Sequence, residues 1–131
     1  MKKMMGASFT MSINSTQKLG VAKTQISDIL TKKMSYLAAR GHAMAENIGN
    51  VDTPGYSRKD LKPFQELLRK SSGKSELEIS SKDFVNTHTE VNRETESMRL
   101  AEVESEFRFI SSILNKYMKL VESVFGKVGG R

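Results

Sequence analysis

The side chains able to do chemistry are few, and their spacing suits none of the reactions they could serve. His42 and His88 are the only histidines. His42 stands in a helical stretch beside Gly41 and His88 in a polar loop, and neither has a second histidine or a carboxylate at ligand spacing. Glu102, Glu104 and Glu106 recur at every second position, which on a helix sends neighbours to different faces rather than onto one substrate. The glycines do not fall in the strand-turn-helix frame of a phosphate-binding loop. With no cysteine in the chain, disulfides, thiolate metal sites and cysteine nucleophiles are removed together. The eight methionines read as adaptable packing. The expectation is a protein without catalytic group, cofactor or metal, one that is not an enzyme and works through its surfaces.

Two segments must supply those surfaces. Near the C-terminus Leu100, Val103, Phe107, Ile110, Leu114, Tyr117, Val121 and Val124 alternate steps of four and three, the pattern of coiled-coil packing. Nearer the N-terminus the same rhythm runs Leu30, Met34, Leu37, Gly41, Met44, Ile48. A helix cannot hide such a stripe alone, so each needs the other or a neighbouring copy. Phe109, Ile113 and Leu120 widen the second stripe beyond a two-stranded seam. Gly41 costs about 1 kcal/mol relative to Ala inside a helix, and its place on the stripe predicts a close helix-helix approach.

At 131 residues and 37% hydrophobic content there is material for one domain with a modest core. No run of eighteen apolar residues predicts a transmembrane segment, and the Ser, Thr and Asn between Gly6 and Asn14 interrupt what a cleavable signal peptide requires. The charge is lopsided. Residues 1–75 carry 13 Lys/Arg against 5 Asp/Glu, a balance of +8, and residues 76–131 carry 8 against 10, a balance of −2. That asymmetry has two readings, a basic N-terminal helix facing an acidic C-terminal one, within a subunit or between subunits, or ordinary solvated faces. Nucleic acid prefers a basic stripe with interleaved aromatics, and Lys32-Lys33 and Arg58-Lys59 are only short doublets.

The fold class expected is mainly α, an elongated antiparallel pair of long N- and C-terminal helices with a short irregular middle that allows a small β element. Residues 1–16 read as a flexible leader and 17–50 as the N-terminal helical region, its regular part from about Thr24 to Ile48 with Thr24 or Ser27 as cap. A turn and a short helix around Phe64, Leu67 and Leu68 occupy 51–70. The polar loop of 71–91 follows, where Leu77 and Ile79 alternate with Glu76 and Glu78 in the manner of a strand and Phe84 and Val85 pin the far end. The C-terminal helix spans 92–126 and is ended by Gly126, leaving a tail over 127–131.

Between the first helix and the middle lies the sharpest turn signal in the chain. Pro54 presets the first central torsion and Gly55 permits a positive φ at the second, which together predict a type II turn. Asp52 or Thr53 can bond the turn backbone from its flank, and the Tyr56 ring must find cover on the helix just ended. Asn47, Gly49 and Asn50 tolerate left-handed backbone and place the helix end among them.

The stretch Ala45-Glu46-Asn47-Ile48-Gly49-Asn50-Val51-Asp52-Thr53-Pro54-Gly55-Tyr56 resembles the N-terminal motif of bacterial flagellar rod and hook axial proteins. Their helix ends in Asn-Ile-Ala-Asn before Thr-Pro-Gly-Tyr, so Asn47, Ile48, Asn50, Thr53, Pro54, Gly55 and Tyr56 match and Gly49 departs. Arg58 to Phe64 and Val91 to Met98 are similar to the runs that follow the motif and open the last helix in the short proximal-rod members. The longer rod and hook members carry a middle domain for which this chain has no room.

The resemblance implies a structural subunit of the proximal rod of the flagellar basal body, assembling through its terminal helices and transmitting torque. Its partners would be copies of itself, other rod proteins, the adaptor to the membrane ring and the flagellar export apparatus, which passes such subunits to the periplasmic rod without signal-peptide cleavage. Two rival readings stand beside it. One is a basic coiled-coil protein binding nucleic acid or an anionic membrane surface, and the other is a secretion chaperone or helical adaptor.

Overall fold

The computed structural model describes residues 15–128. Its elements are α1 (Ser15–Gly49), β1 (Lys59–Leu61), α2 (Phe64–Lys70), β2 (Phe84–Asn86) and α3 (Arg93–Val128), with one turn of 3-10 helix at Ser81–Asp83 before β2. The two long helices pack side by side and antiparallel. Lys33 meets Glu106, Gly41 faces Val103 and Asn47 reaches Glu96, so positions rise along α1 as they fall along α3. The mainly helical, two-helix architecture is the one the paired stripes predict.

Several boundaries differ from the sequence reading. α1 begins before Thr24, so Thr24 and Ser27 lie inside it and cap nothing at its start. No proline or turn cluster interrupts residues 15–24, and Gly20 alone costs too little to stop a helix that is otherwise continuous. Of the expected leader, Ser15 and Thr16 belong to α1 and the rest lies outside the described residues. α3 likewise runs through Gly126 to Val128, because a glycine near a helix end weakens it without forcing the left-handed turn that would end it. Asn92 opens α3 as its cap: its side chain accepts the Thr95 N–H at 3.0 Å and its carbonyl the Glu96 N–H at 2.9 Å.

The β element exists, though Leu77–Ile79 does not form it. β1 pairs antiparallel with β2 in the register Lys59 to Asn86, Asp60 to Val85 and Leu61 to Phe84. Leu77 and Ile79 pack half-buried against the core as irregular chain, so their alternation reports an apolar side without a strand partner. Leu61, Leu67, Tyr36, Leu37 and Val103 form the buried core, ringed by Phe64, Phe84, Phe107 and Ile110. The Tyr36 hydroxyl donates to the Lys62 carbonyl at 2.9 Å, and its ring lies 5.3 Å from that of Phe64 with the Lys33 ammonium 4.7 Å above the latter. α2 carries Glu66 in its first turn and Arg69 and Lys70 in its last, the order its dipole favours. The middle segment thus covers one flank of the helix pair near its base and leaves the other flank open.

Candidate functional site

The base of the helix pair is a polar junction built around one side chain. Asn47, fully buried in the last turn of α1, donates to the Lys59 carbonyl at 2.8 Å and to Glu96 Oε1 at 3.0 Å. Its oxygen accepts the Tyr56 hydroxyl at 2.9 Å and the Lys59 N–H at 3.0 Å. Both amide hydrogens and both lone pairs are therefore used. One residue ties the end of α1, the corner, β1 and the first turn of α3 together.

Glu96 is the charged half of the same knot. It has no exposed surface, and its Oε2 accepts Arg58 Nε at 2.7 Å and Arg99 at 3.1 Å. Arg58 also donates to Asp60 Oδ2 at 3.1 Å, and Arg40 grips Asp60 through both carboxylate oxygens at 3.0 and 3.3 Å. Burial alone would raise the Asp60 carboxyl, but the Arg40 hydrogen bonds, the Arg40 charge, the Leu61 N–H and Arg58 outweigh it and hold the group below the ordinary carboxylate range. For Arg58 burial works against the charge, and the bonds to Glu96 and Asp60 more than restore it. A buried ion cluster of this kind survives only when every member is satisfied, and no buried side-chain polar atom among the described residues lacks a partner.

The corner has the geometry its sequence predicts. The Tyr56 N–H donates to the Thr53 carbonyl at 3.2 Å across Pro54 and Gly55, and Gly55 has φ +77°, the value a type II turn needs at that place. Its flanking side chains act elsewhere than expected. Thr53 donates to the Asn50 side chain at 3.2 Å, Asn50 donates to the Glu46 carbonyl at 2.8 Å, and Asp52 reaches Arg93 at 3.4 Å. Pro54 and Gly55 stand exposed at the apex, while Ile48 and Tyr56 are half-buried beneath them.

The seam residues meet one another, unevenly. Leu37, Met44 and Val103 are buried. Leu30, Met34, Leu100, Phe107, Ile110, Leu114, Tyr117, Val121 and Val124 are half-buried, so the pair covers its stripes well near the base and only partly toward the other end. Gly41 gives the predicted close approach, with a Cβ at its position lying 3.5 Å from Val103 and 3.7 Å from Leu100. On α3, Met98, Phe109, Ile113 and Leu120 are exposed. The charge halves also meet: Lys33 pairs with Glu106 at 3.5 Å and Arg58 with Glu96.

The sequence reading missed Glu96, Arg58, Asp60 and Arg40. One signal was available, since Glu96 stands four residues before Leu100, at the next position of the stripe, and an acid inside an apolar seam implies a buried partner. His42 is exposed on α1 and His88 in the loop after β2, and among the described residues no group of three or more His, Cys, Asp or Glu side chains could hold a metal ion. No helix among the described residues is long and apolar enough to cross a membrane. Comparison of the chain with protein-family models and with curated proteins finds no match in either.

Proposed function

We propose that this chain is a structural subunit of the proximal rod of the bacterial flagellar basal body, of the FlgB type, assembling with copies of itself and other rod proteins and transmitting torque without catalysing any reaction. The observation that carries the reading is the work done by Asn47 and Tyr56, two residues of the rod-type motif. Their bonds lock the exit of α1 against the start of α3, which is what a load-bearing subunit needs at the joint between its two packing helices. The exposed apolar face of α3 supplies the complementary feature, surface left for neighbours to cover.

Periplasmic placement, export without cleavage and attachment to the membrane ring through its adaptor belong to the same proposal. The basic N-terminal half favours nucleic acid less than its charge suggests, because Lys33, Arg40, Arg58, Lys62 and Lys70 are each engaged with a carboxylate of the same chain. Deleting the gene tests the reading. Cells that keep the membrane ring, lack a rod and recover it on re-expression are expected; cells with a complete rod overturn it. A gel shift with micromolar, steeply salt-dependent DNA binding would favour the nucleic-acid reading instead.

A further inference from the structure

We infer that the upper half of α3, from Phe109 to Leu120, binds the surface of an anionic phospholipid membrane, with its apolar ridge at the acyl boundary and its basic flank on headgroup phosphates. This goes beyond the rod reading, concerns the chain before any neighbour covers α3, and is independent of it. Folding concentrates positive charge at that end. Beyond the contact of Lys33 with Glu106, residues 15–32 of α1 and 107–128 of α3 carry 7 Lys/Arg against 2 Asp/Glu, a balance of +5. Residues 33–106, which hold the base and the middle segment, carry 11 against 13, a balance of −2. Basic stretches from opposite ends of the sequence share one end of the molecule because the long helices run antiparallel.

The flank of α3 there is a trough rich in donors. It encloses about 410 Å³ and, apart from Phe107, is lined by Arg108, Ser111, Ser112, Asn115, Lys116 and Lys119. No acid lines it. Glu104 stands one turn below Arg108 and meets it at 3.7 Å in an exposed pair that contributes little, and Glu122 stands about one turn above Lys119. Lys116 and Lys119 are exposed and make no ion pair among the described residues. Guanidinium, ammonium, hydroxyl and amide groups with no carboxylate among them suit the oxygens of a phosphate ester.

Beside the trough runs the ridge. At about 100° per residue Phe109, Ile113, Lys116 and Leu120 fall within an arc of about 60°, and Ser112 and Lys119 border it on the trough side. Phe109 and Leu120 are each 64% exposed. Bulky apolar side chains along one face, edged by lysines whose stems reach up to headgroup level, are the composition of a helix lying in a membrane interface. Glu102, on the same face about two turns below Phe109, and Glu106 set the lower limit of the patch, and Glu122 lies about 140° away from Phe109. Nucleic acid would engage the cations and leave Ile113 and Leu120 in water, whereas an anionic lipid surface covers ridge and trough together.

Flotation of the full chain with vesicles tests this surface. Binding is expected to phosphatidylcholine vesicles that contain phosphatidylglycerol, not to phosphatidylcholine alone, and should weaken as salt rises. Lys116→Gln and Lys119→Gln should each weaken it about fivefold, and Phe109→Ser and Leu120→Ser each at least about tenfold. Lys82→Gln, which removes an exposed lysine of the middle segment, should leave it unchanged. The chain has no tryptophan, so Phe109→Trp adds a single probe whose emission should move to shorter wavelength on the same vesicles. No binding, equal binding to both vesicle types, lysine or serine variants at wild-type affinity, an equal loss in Lys82→Gln, or an unshifted Phe109→Trp emission would each overturn the inference. Release of the bound chain by millimolar inorganic phosphate would overturn it in favour of the free ion, and tighter binding to a short DNA duplex with the same lysine dependence in favour of nucleic acid. The substituted side chains are exposed, so lost binding with an unchanged circular-dichroism spectrum reports the surface and not the fold. The rod reading fails separately: a deletion strain that keeps its rod refutes that reading and leaves vesicle binding untouched, whereas a rodless strain whose protein ignores anionic vesicles refutes only this surface.

Discussion

The base of the helix pair and its upper, open faces are made from the same two helices by opposite means. At the base, Asn47, Glu96, Arg58 and Asp60 are buried or nearly so and spend their polar atoms on one another. Along α3 beyond it, Phe109 and Leu120 are large, apolar and mostly in water. Packing area alone would put the apolar residues inside and the ions outside. The reversal teaches that geometry is fixed at the base by directional bonds, whereas the faces above hold association potential that the single chain does not use.

Breaking the base should cost most. Glu96→Ala removes the partner of a buried guanidinium and of an Asn47 donor, and a loss of about 3–5 kcal/mol in unfolding free energy is expected by denaturant titration. Phe109→Ala, by contrast, should move the same midpoint by no more than about 0.5 kcal/mol. Equal losses at the two sites would erase the distinction between them.

Acid provides a graded version of the same comparison. Because the folded-state pKa of Asp60 lies below its unfolded value, its ion pairs contribute their full stability above the unfolded value of about 3.9 and lose it as pH falls through the lower folded one. Asp83 behaves alike, held down by the Ser80 N–H against the cost of burial and then by Lys70. Melting curves between pH 6 and pH 2 should show the steepest loss below about pH 4, and Asp60→Asn should flatten that slope. An unchanged slope in Asp60→Asn would place the acid sensitivity outside the base.

An effect well below that at Glu96, and opposite in sign, is expected between the two regions, at Gly41. A Cβ there meets Val103 and Leu100 at ordinary contact distance, so Gly41→Ala should stabilise the isolated chain by about 0.5–1 kcal/mol through helix propensity, measured as a raised thermal midpoint. Destabilisation would mean that the helices are closer than 3.5 Å allows.

What the sequence reveals divides along the same line. The stripes are legible because side-chain phase on a helix is local, and the corner is legible because Pro54 and Gly55 restrict their own torsions. The junction depends on meetings between distant residues: Asn47 with Glu96 and Arg58 with Glu96 are set by how the helices dock, and no short-range pattern encodes them. The strands fail for a related reason. Three residues carry no usable period, and the partner of Lys59–Leu61 lies beyond α2 and a polar loop. The start of α1 is obscure because Thr24 and Ser27 suit a cap and a helix interior alike, and only continuity of the chain decides between them.

The antiparallel arrangement of α1 and α3 also sets an order of events in time. With Asn47, Tyr56 and Glu96 cross-linked at one end, closing each further turn of the pair traps little additional chain entropy, so pairing can advance like a zip from the knot toward Ile26 and Leu120. Amide exchange should then slow progressively toward the knot. The turns that open first are then those farthest from the knot, beside the exposed Ile26 and Leu120.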